Sequence, residues 1–307
     1  MRITFIGSGG VGGYFGGRLA AAGADVVFVA RGAHLRALQT RGLRIDSPDG
    51  DIHVAHVQAT DDPRVYGEPG VVFVAVKCYD SAGAVSLLRP IVGSETVVIP
   101  LQNGVDGVET LTRAVGRERV AGGTCYVSAV ISEPGVIRHT AMNRLVFGEL
   151  DGHPSPRLET LRGICEGAGI DVLLSTDIQS EIWTKLIRLS VLSGLTSVTR
   201  CPAGVLHTDP ELAKLVESGL GEGLTVARAK GINLPFKDVG ELVAGFRKLA
   251  PDTRSSMLED LERGHRLELP WLSGAITRIG RELGVPTPTH AFISAVLGPH
   301  VDGHQRK

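Results

Sequence analysis

The chain opens MRITFIGSGGVGGYFGGRLAAA, and this stretch from Met1 to Ala22 constrains the fold more than any other. Ile3, Phe5 and Ile6 make a short apolar run of strand type. Gly7, Gly9 and Gly12 follow at G-x-G-x-x-G spacing, and Tyr14 to Ala22 reads as a helix of small and apolar residues. In a strand–turn–helix of this kind the first glycine permits the tight turn. The second lets a pyrophosphate approach the backbone, and the third lets helix and strand touch. The helix N-terminus adds unpaired N–H groups and the positive end of its dipole. A glycine-rich spacing alone is weak, but here a predicted strand precedes it and a predicted helix follows. The expectation is a dinucleotide site built from Gly7, Ser8, Gly9, Gly10, Val11 and Gly12.

The second strand, Val26 to Ala30, ends without the acid that would take the ribose 2′-hydroxyl of NAD. Arg31 stands there instead, and a guanidinium suits a 2′-phosphate. NADPH is therefore preferred over NADH. Thr40 to Pro63 reads as a hairpin-like excursion turning at Ser47-Pro48-Asp49-Gly50. Val71 to Val76 is a buried strand that runs into Lys77-Cys78-Tyr79-Asp80. Thr96 to Pro100 runs into Leu101-Gln102-Asn103-Gly104. That turn either simply reverses the chain or sets the Asn103 amide near a nicotinamide. Val120 to Val130, Val136 to Thr140 and Arg144 to Leu150 read as three more strands. Val172 to Leu174 is expected to close the sheet.

From Thr176 the pattern becomes helical, with helices expected over 177–199, 210–230, 236–248, 255–264, 269–283 and 289–301. The expected organisation is α/β. A doubly wound, Rossmann-type sheet over residues 1–175 is followed by an all-α substrate and dimerisation domain over 176–307, with a frayed tail at His304 to Lys307. The 40 glycines, about 13% of 307 residues, follow no repeat and suit tight α/β turns.

Net charge is −1, and no long basic run favours nucleic acid or a membrane surface. Cys78, Cys125, Cys165 and Cys201 are widely spaced, so free thiols in the cytoplasm are expected. The histidines form no H-E-x-x-H, and no metal site is expected.

Reduction of a carbonyl needs a proton donor beside the oxygen that gathers negative charge. Lys185, on the first helix after the sheet domain, is the candidate by position, although an isolated lysine is by default only exposed. Ser190, Ser193 and Ser197 are unremarkable alone. Glu268 lies between leucines, so it is either at an exposed edge or held for a purpose.

The chain resembles the ketopantoate reductase family along nearly its whole length. The matching pieces are GSGGVGGYFGGRLA with RGAHLRAL, VAVKCYD, LQNGV, the WTKL helix, SSMLEDLERG and RLELPWLSGAI. The resemblance implies NADPH as cofactor and a small 2-oxo acid as substrate; apolar helices such as Leu269 to Leu283 are either a homodimer face or core. The resemblance also implies residue roles. Lys185 matches the catalytic proton donor, and Glu268 the glutamate that holds substrate and lysine. Asn103 matches an asparagine beside nicotinamide and carbonyl, Ser256 a serine on the substrate carboxylate, and Lys77 a cofactor-side lysine.

Departures fall where a substrate hydroxyl would bind. Leu189 and Ser193 replace asparagines four and eight positions after the lysine, leaving Ser193 as a candidate substrate contact. Pro270 and Ser273 replace an acid and an asparagine after the glutamate. A lost partner in a buried site costs about 1–3 kcal/mol. Reduction of ketopantoate to pantoate is the leading expectation. The alternatives are a less hydroxylated oxo acid, and an NADP(H)-binding sensor without turnover.

Overall fold

A computed structural model of the chain describes residues 1–303; the tail His304 to Lys307, expected to fray, lies outside the described residues. The chain divides into two compact units. One comprises Met1–Gln102 with Asp106–Glu181, and the other Asn103–Val105 with the chain from Ile182 onward.

The first unit contains two sheets. Its early strands are β1 (Ile3–Ile6), β2 (Val26–Val29), β3 (Leu43–Asp46), β4 (Ile52–Val54), β5 (Gln58–Thr60), β6 (Val71–Val74) and β7 (Val97–Pro100). Five of these form a parallel sheet in the order β5-β2-β1-β6-β7. The strand order reverses beside β1, which is where a doubly wound sheet opens a crevice at its carboxyl edge. Strands β1, β2, β6 and β7 are buried at every position, which explains their apolar sequences, broken only by Thr4 in β1. Phe5 stacks on Phe28 and Phe73 across three of them, with ring centroids 6.4 and 5.0 Å apart.

The hairpin expected at Thr40 to Pro63 forms between β3 and β4, but it joins a second sheet rather than standing alone. That sheet is completed by β8 (Gly122–Glu133), β9 (Val136–Gly148) and β10 (Asp171–Leu174). Its order is β10-β9-β3-β4, with β8 also antiparallel to β9. Val136 to Thr140 and Arg144 to Leu150, read as two strands, are thus one strand up to Gly148. Met142, in the left-handed region at φ 63°, bends it and breaks the alternation seen in the sequence. Val172 to Leu174 closes this second sheet, not the parallel one.

Helices α1 (Gly10–Ala21), α2 (Gly32–Arg41), α3 (Ser81–Leu88), α4 (Asp106–Val115) and α5 (Pro156–Gly167) cover the strands. Helix α1 lies between the two sheets, and its repeated Gly-Gly pairs explain how. A Cβ on Gly16 would come within 2.6 Å of Phe28, from the parallel sheet. One on Gly17 would come within 2.6 Å of Ile45, and one on Gly13 within 2.7 Å of Ile137, both from the second sheet.

In the second unit α6 (Ile178–Thr199), whose first residues belong to the first unit, contributes Trp183, Leu186, Ile187, Val191 and Leu195 to the core. Around it are α7 (Ala203–Thr208), α8 (Pro210–Ala229), α9 (Val239–Phe246), α10 (Ser256–Glu262), α11 (Ser273–Leu283) and α12 (Pro288–Leu297). The short α7, between two prolines, has no counterpart among the expected helices. The Glu222 carboxylate of α8, almost wholly buried, accepts from the backbone N–H groups of Thr289 and His290 and so caps α12. Among the described residues no helix is long and apolar enough to cross a membrane, and no cluster of side chains could hold a metal.

Candidate active site

In the first unit the glycine-rich turn lies at the carboxyl end of β1. Gly7 has φ +97°, and a Cβ there would lie 2.8 Å from the Val76 nitrogen, so only glycine fits. Gly9 precedes α1 with no side chain capping the helix, and no acid lies in the first turn. A Cβ on Gly9 would meet nothing within 4 Å, so the space above this residue is open. Gly10, Val11 and Gly12 supply the first-turn N–H groups beneath it. That open, uncapped and uncharged helix start fits a pyrophosphate.

The other residues of the turn serve the fold. Ser8 is buried and donates to the Val29 carbonyl at 3.1 Å. A Cβ on Gly10 would fall 1.9 Å from the Ala129 carbonyl oxygen, and one on Gly12 would fall 2.0 Å from that of Gly7. Gly10 therefore admits β8 against the loop, a requirement invisible in the spacing because β8 begins more than a hundred residues later.

Arg31 caps the start of α2 in extended conformation, and its side chain is 82% exposed. Its Nη2 donates to Asp80 Oδ2 at 2.9 Å. Lys77, half-buried, directly precedes the single helical turn Cys78–Asp80 that follows β6. His34, in the first turn of α2, accepts from the Gly135 N–H through Nδ1 at 3.1 Å. Burial holds its imidazole below the usual range, against a smaller raising effect from the Ser8 backbone.

In the second unit the Asn103 amide donates to Glu268 Oε2 at 3.0 Å. Glu268 is 5% exposed, so it is held inside and not at an edge. Its carbonyl accepts from Trp271 N–H and starts the tight turn Leu269–Trp271. Gly104, at φ +86°, lets the Asn103 turn lie on that segment, because a Cβ there would sit 2.7 Å from the Trp271 carbonyl. The two turns thus hold each other, and Asn103 does more than reverse the chain.

Lys185 is half-buried on α6. Ser256 is exposed at the start of α10. The buried neighbour Ser255 caps α10 through Leu258 N–H and bonds the Thr196 hydroxyl of α6 at 2.8 Å, which ties α10 to the lysine helix. Ser193 is buried with no hydrogen-bond partner for its hydroxyl, a group that ordinarily has one. Leu189 is half-buried and Pro270 exposed. Ser273, at one of the departures from the family pattern, is fully buried, with its hydroxyl 3.2 Å from His290 Nδ1 and 3.4 Å from the Ser190 carbonyl. Sequence reasoning missed both this internal pair and Asp80. The available signal for Asp80 was its place in Lys77-Cys78-Tyr79-Asp80, the segment into which β6 runs.

The family model for the N-terminal part of ketopantoate reductase PanE/ApbA matches residues 3–152, and that for its C-terminal part matches residues 177–300. A 2-dehydropantoate 2-reductase of Mesorhizobium japonicum is 33% identical over 97% of this chain and 96% of its own. The crystal structure of a PanE/ApbA family ketopantoate reductase from Ralstonia eutropha superposes with a TM-score of 0.89 at 32% identity, covering 98% of both chains. The ternary structure of a D-mandelate dehydrogenase with NADH and anilino(oxo)acetate has the same TM-score, 0.89, at 21% identity over 98% of both chains, a likeness of fold alone.

Proposed function

This chain belongs to the ketopantoate reductase family and is an oxidoreductase of that type working with a nicotinamide cofactor; from that premise we propose that it uses NADPH to reduce a 2-oxo acid to its 2-hydroxy acid, with 2-dehydropantoate the leading substrate. The observation that carries the reading is the Asn103–Glu268 hydrogen bond, which fixes a buried carboxylate in the unit that also bears Lys185. Buried acids are expensive to keep and are characteristic of sites that position a charge.

When bound, the cofactor supplies the hydride that reaches the carbonyl carbon. Gly9 and the N–H groups of Gly10, Val11 and Gly12 would hold its pyrophosphate, Arg31 would hold the 2′-phosphate, and Lys77 would add a positive charge at the carboxyl edge of β6. Lys185 donates a proton from Nζ to the carbonyl oxygen as negative charge develops there, and is reprotonated from water. Asn103 holds Glu268, and Glu268 orients the Lys185 ammonium. Ser256 bonds the substrate carboxylate.

A second reading differs only in substrate. Leu189, four residues after Lys185, presents an apolar side chain on the lysine helix, which favours an oxo acid with fewer hydroxyls. Following NADPH consumption with ketopantoate beside simpler 2-oxo acids separates the two. Turnover favouring ketopantoate supports the first reading. Turnover confined to an unhydroxylated 2-oxo acid supports the second.

A further inference from the structure

Strands β2 and β6 flank β1 on its two sides, so the segments leaving them emerge at one edge of the parallel sheet. Arg31 comes from the first and Asp80 from the second, joined by the 2.9 Å bond between Nη2 and Oδ2. Asp80 stands at the N-cap of α3, where an aspartate ordinarily accepts from the first-turn N–H groups. It makes no such bond, and its carboxylate is turned to the guanidinium instead. With 82% of the Arg31 side chain and 34% of the Asp80 side chain exposed, the pair is open to a ligand and adds little to the fold.

A carboxylate in that place bears on cofactor choice. A guanidinium has five donors and can bond a carboxylate and a second acceptor together. A 2′-phosphate brought to Arg31 carries about two negative charges and must lie close to the Asp80 carboxylate. A 2′-hydroxyl brought there meets an acceptor, the group that NAD-preferring sites place at the end of the second strand. In this chain the acid comes from β6 instead of β2.

We infer that Asp80 is a specificity-determining residue that moderates the preference for NADPH, disfavouring the 2′-phosphate and accepting from the 2′-hydroxyl of NADH. The inference rests on the reading of Arg31 as the 2′-phosphate residue. Arg31 alone makes a strongly NADPH-selective protein, whereas the Arg31–Asp80 pair makes one that accepts both reduced cofactors.

The test is fluorescence titration of the full-length protein with NADPH and with NADH, for wild type, Asp80→Asn, Asp80→Ser and Arg31→Ala. Two replacements at Asp80 keep the test decisive if one fails to fold. The expected result is an NADPH-over-NADH affinity ratio that rises about threefold or more in the Asp80 variants, as removal of one nearby like charge in a solvated site implies. In Arg31→Ala the ratio falls. If Arg31→Ala lowers the ratio while the Asp80 variants leave it unchanged or lower it, Asp80 only steadies the arginine and the inference is overturned. If Arg31→Ala leaves the ratio unchanged, the 2′-phosphate reading fails and takes the inference with it.

Discussion

At the scale of single residues the site turns on Asn103 and Glu268. Asn103→Ala leaves a buried carboxylate short of a donor, a loss of about 1–3 kcal/mol, or roughly fivefold to 150-fold in kcat/KM. Asn103→Asp is expected to be worse near neutral pH, because two carboxylates would then face each other at hydrogen-bond distance. Part of the loss should return as pH falls and the pair takes up a shared proton. Steady-state kinetics across pH checks this, and an Asn103→Asp enzyme as active as wild type at neutral pH would contradict it. Lys185, Glu268, Asn103 and Ser256 are candidates from the sequence because each sits inside a recognisable run. The Arg31–Asp80 pair was not, since its members are 49 residues apart and meet only once β2 and β6 take their places beside β1. The Ser273–His290 contact was not legible for a related reason: spacing along the chain does not tell which way a serine faces.

At the scale of elements, α1 separates two uses of glycine that the spacing alone runs together. A Cβ on Gly9 meets open space, whereas one on Gly12 meets the Gly7 carbonyl at 2.0 Å. Gly9→Ala should therefore fold with near-normal stability and bind NADPH poorly, because the methyl occupies the pyrophosphate's approach. Gly12→Ala should lose about 1–3 kcal/mol of stability or more, because helix and loop must part. Thermal melts and cofactor titrations of both variants check the pair, and equal stability losses would contradict it. Strands β2, β6 and β7 were readable from their unbroken apolar runs, whereas β5, Gln-Ala-Thr, lay hidden in the stretch read as a hairpin. The second sheet was readable only in pieces, because β9 changes partners along its length and bends at Met142, so its alternation is lost midway.

At the scale of the whole molecule, one buried and one half-buried histidine tie stability to pH. Burial, the dominant effect, holds His290 below its ordinary value of 6.5, with the Gly219 carbonyl and Glu222 acting weakly in the other direction. His34 is lowered in the same sense, also mainly by burial. Each binds a proton more readily when the chain is unfolded. Their contribution is thus fully present above about pH 6.5 and is lost as pH falls through that value toward the folded-state value. For His290 the slope approaches about 1.4 kcal/mol per pH unit inside that window. Denaturant midpoints should fall between about pH 7 and pH 5, and less steeply in His290→Asn. A flat profile in both would contradict this.

The central claim is that Lys185 delivers the proton in an NADPH-dependent reduction. The most direct measurement is single-turnover oxidation of NADPH by excess Lys185→Ala protein with its preferred 2-oxo acid, beside cofactor titration of the same variant. The account predicts a rate lower by about 10²–10⁴-fold with NADPH affinity changed only a few-fold. A near-normal rate in that variant would contradict it and move the proton donor elsewhere.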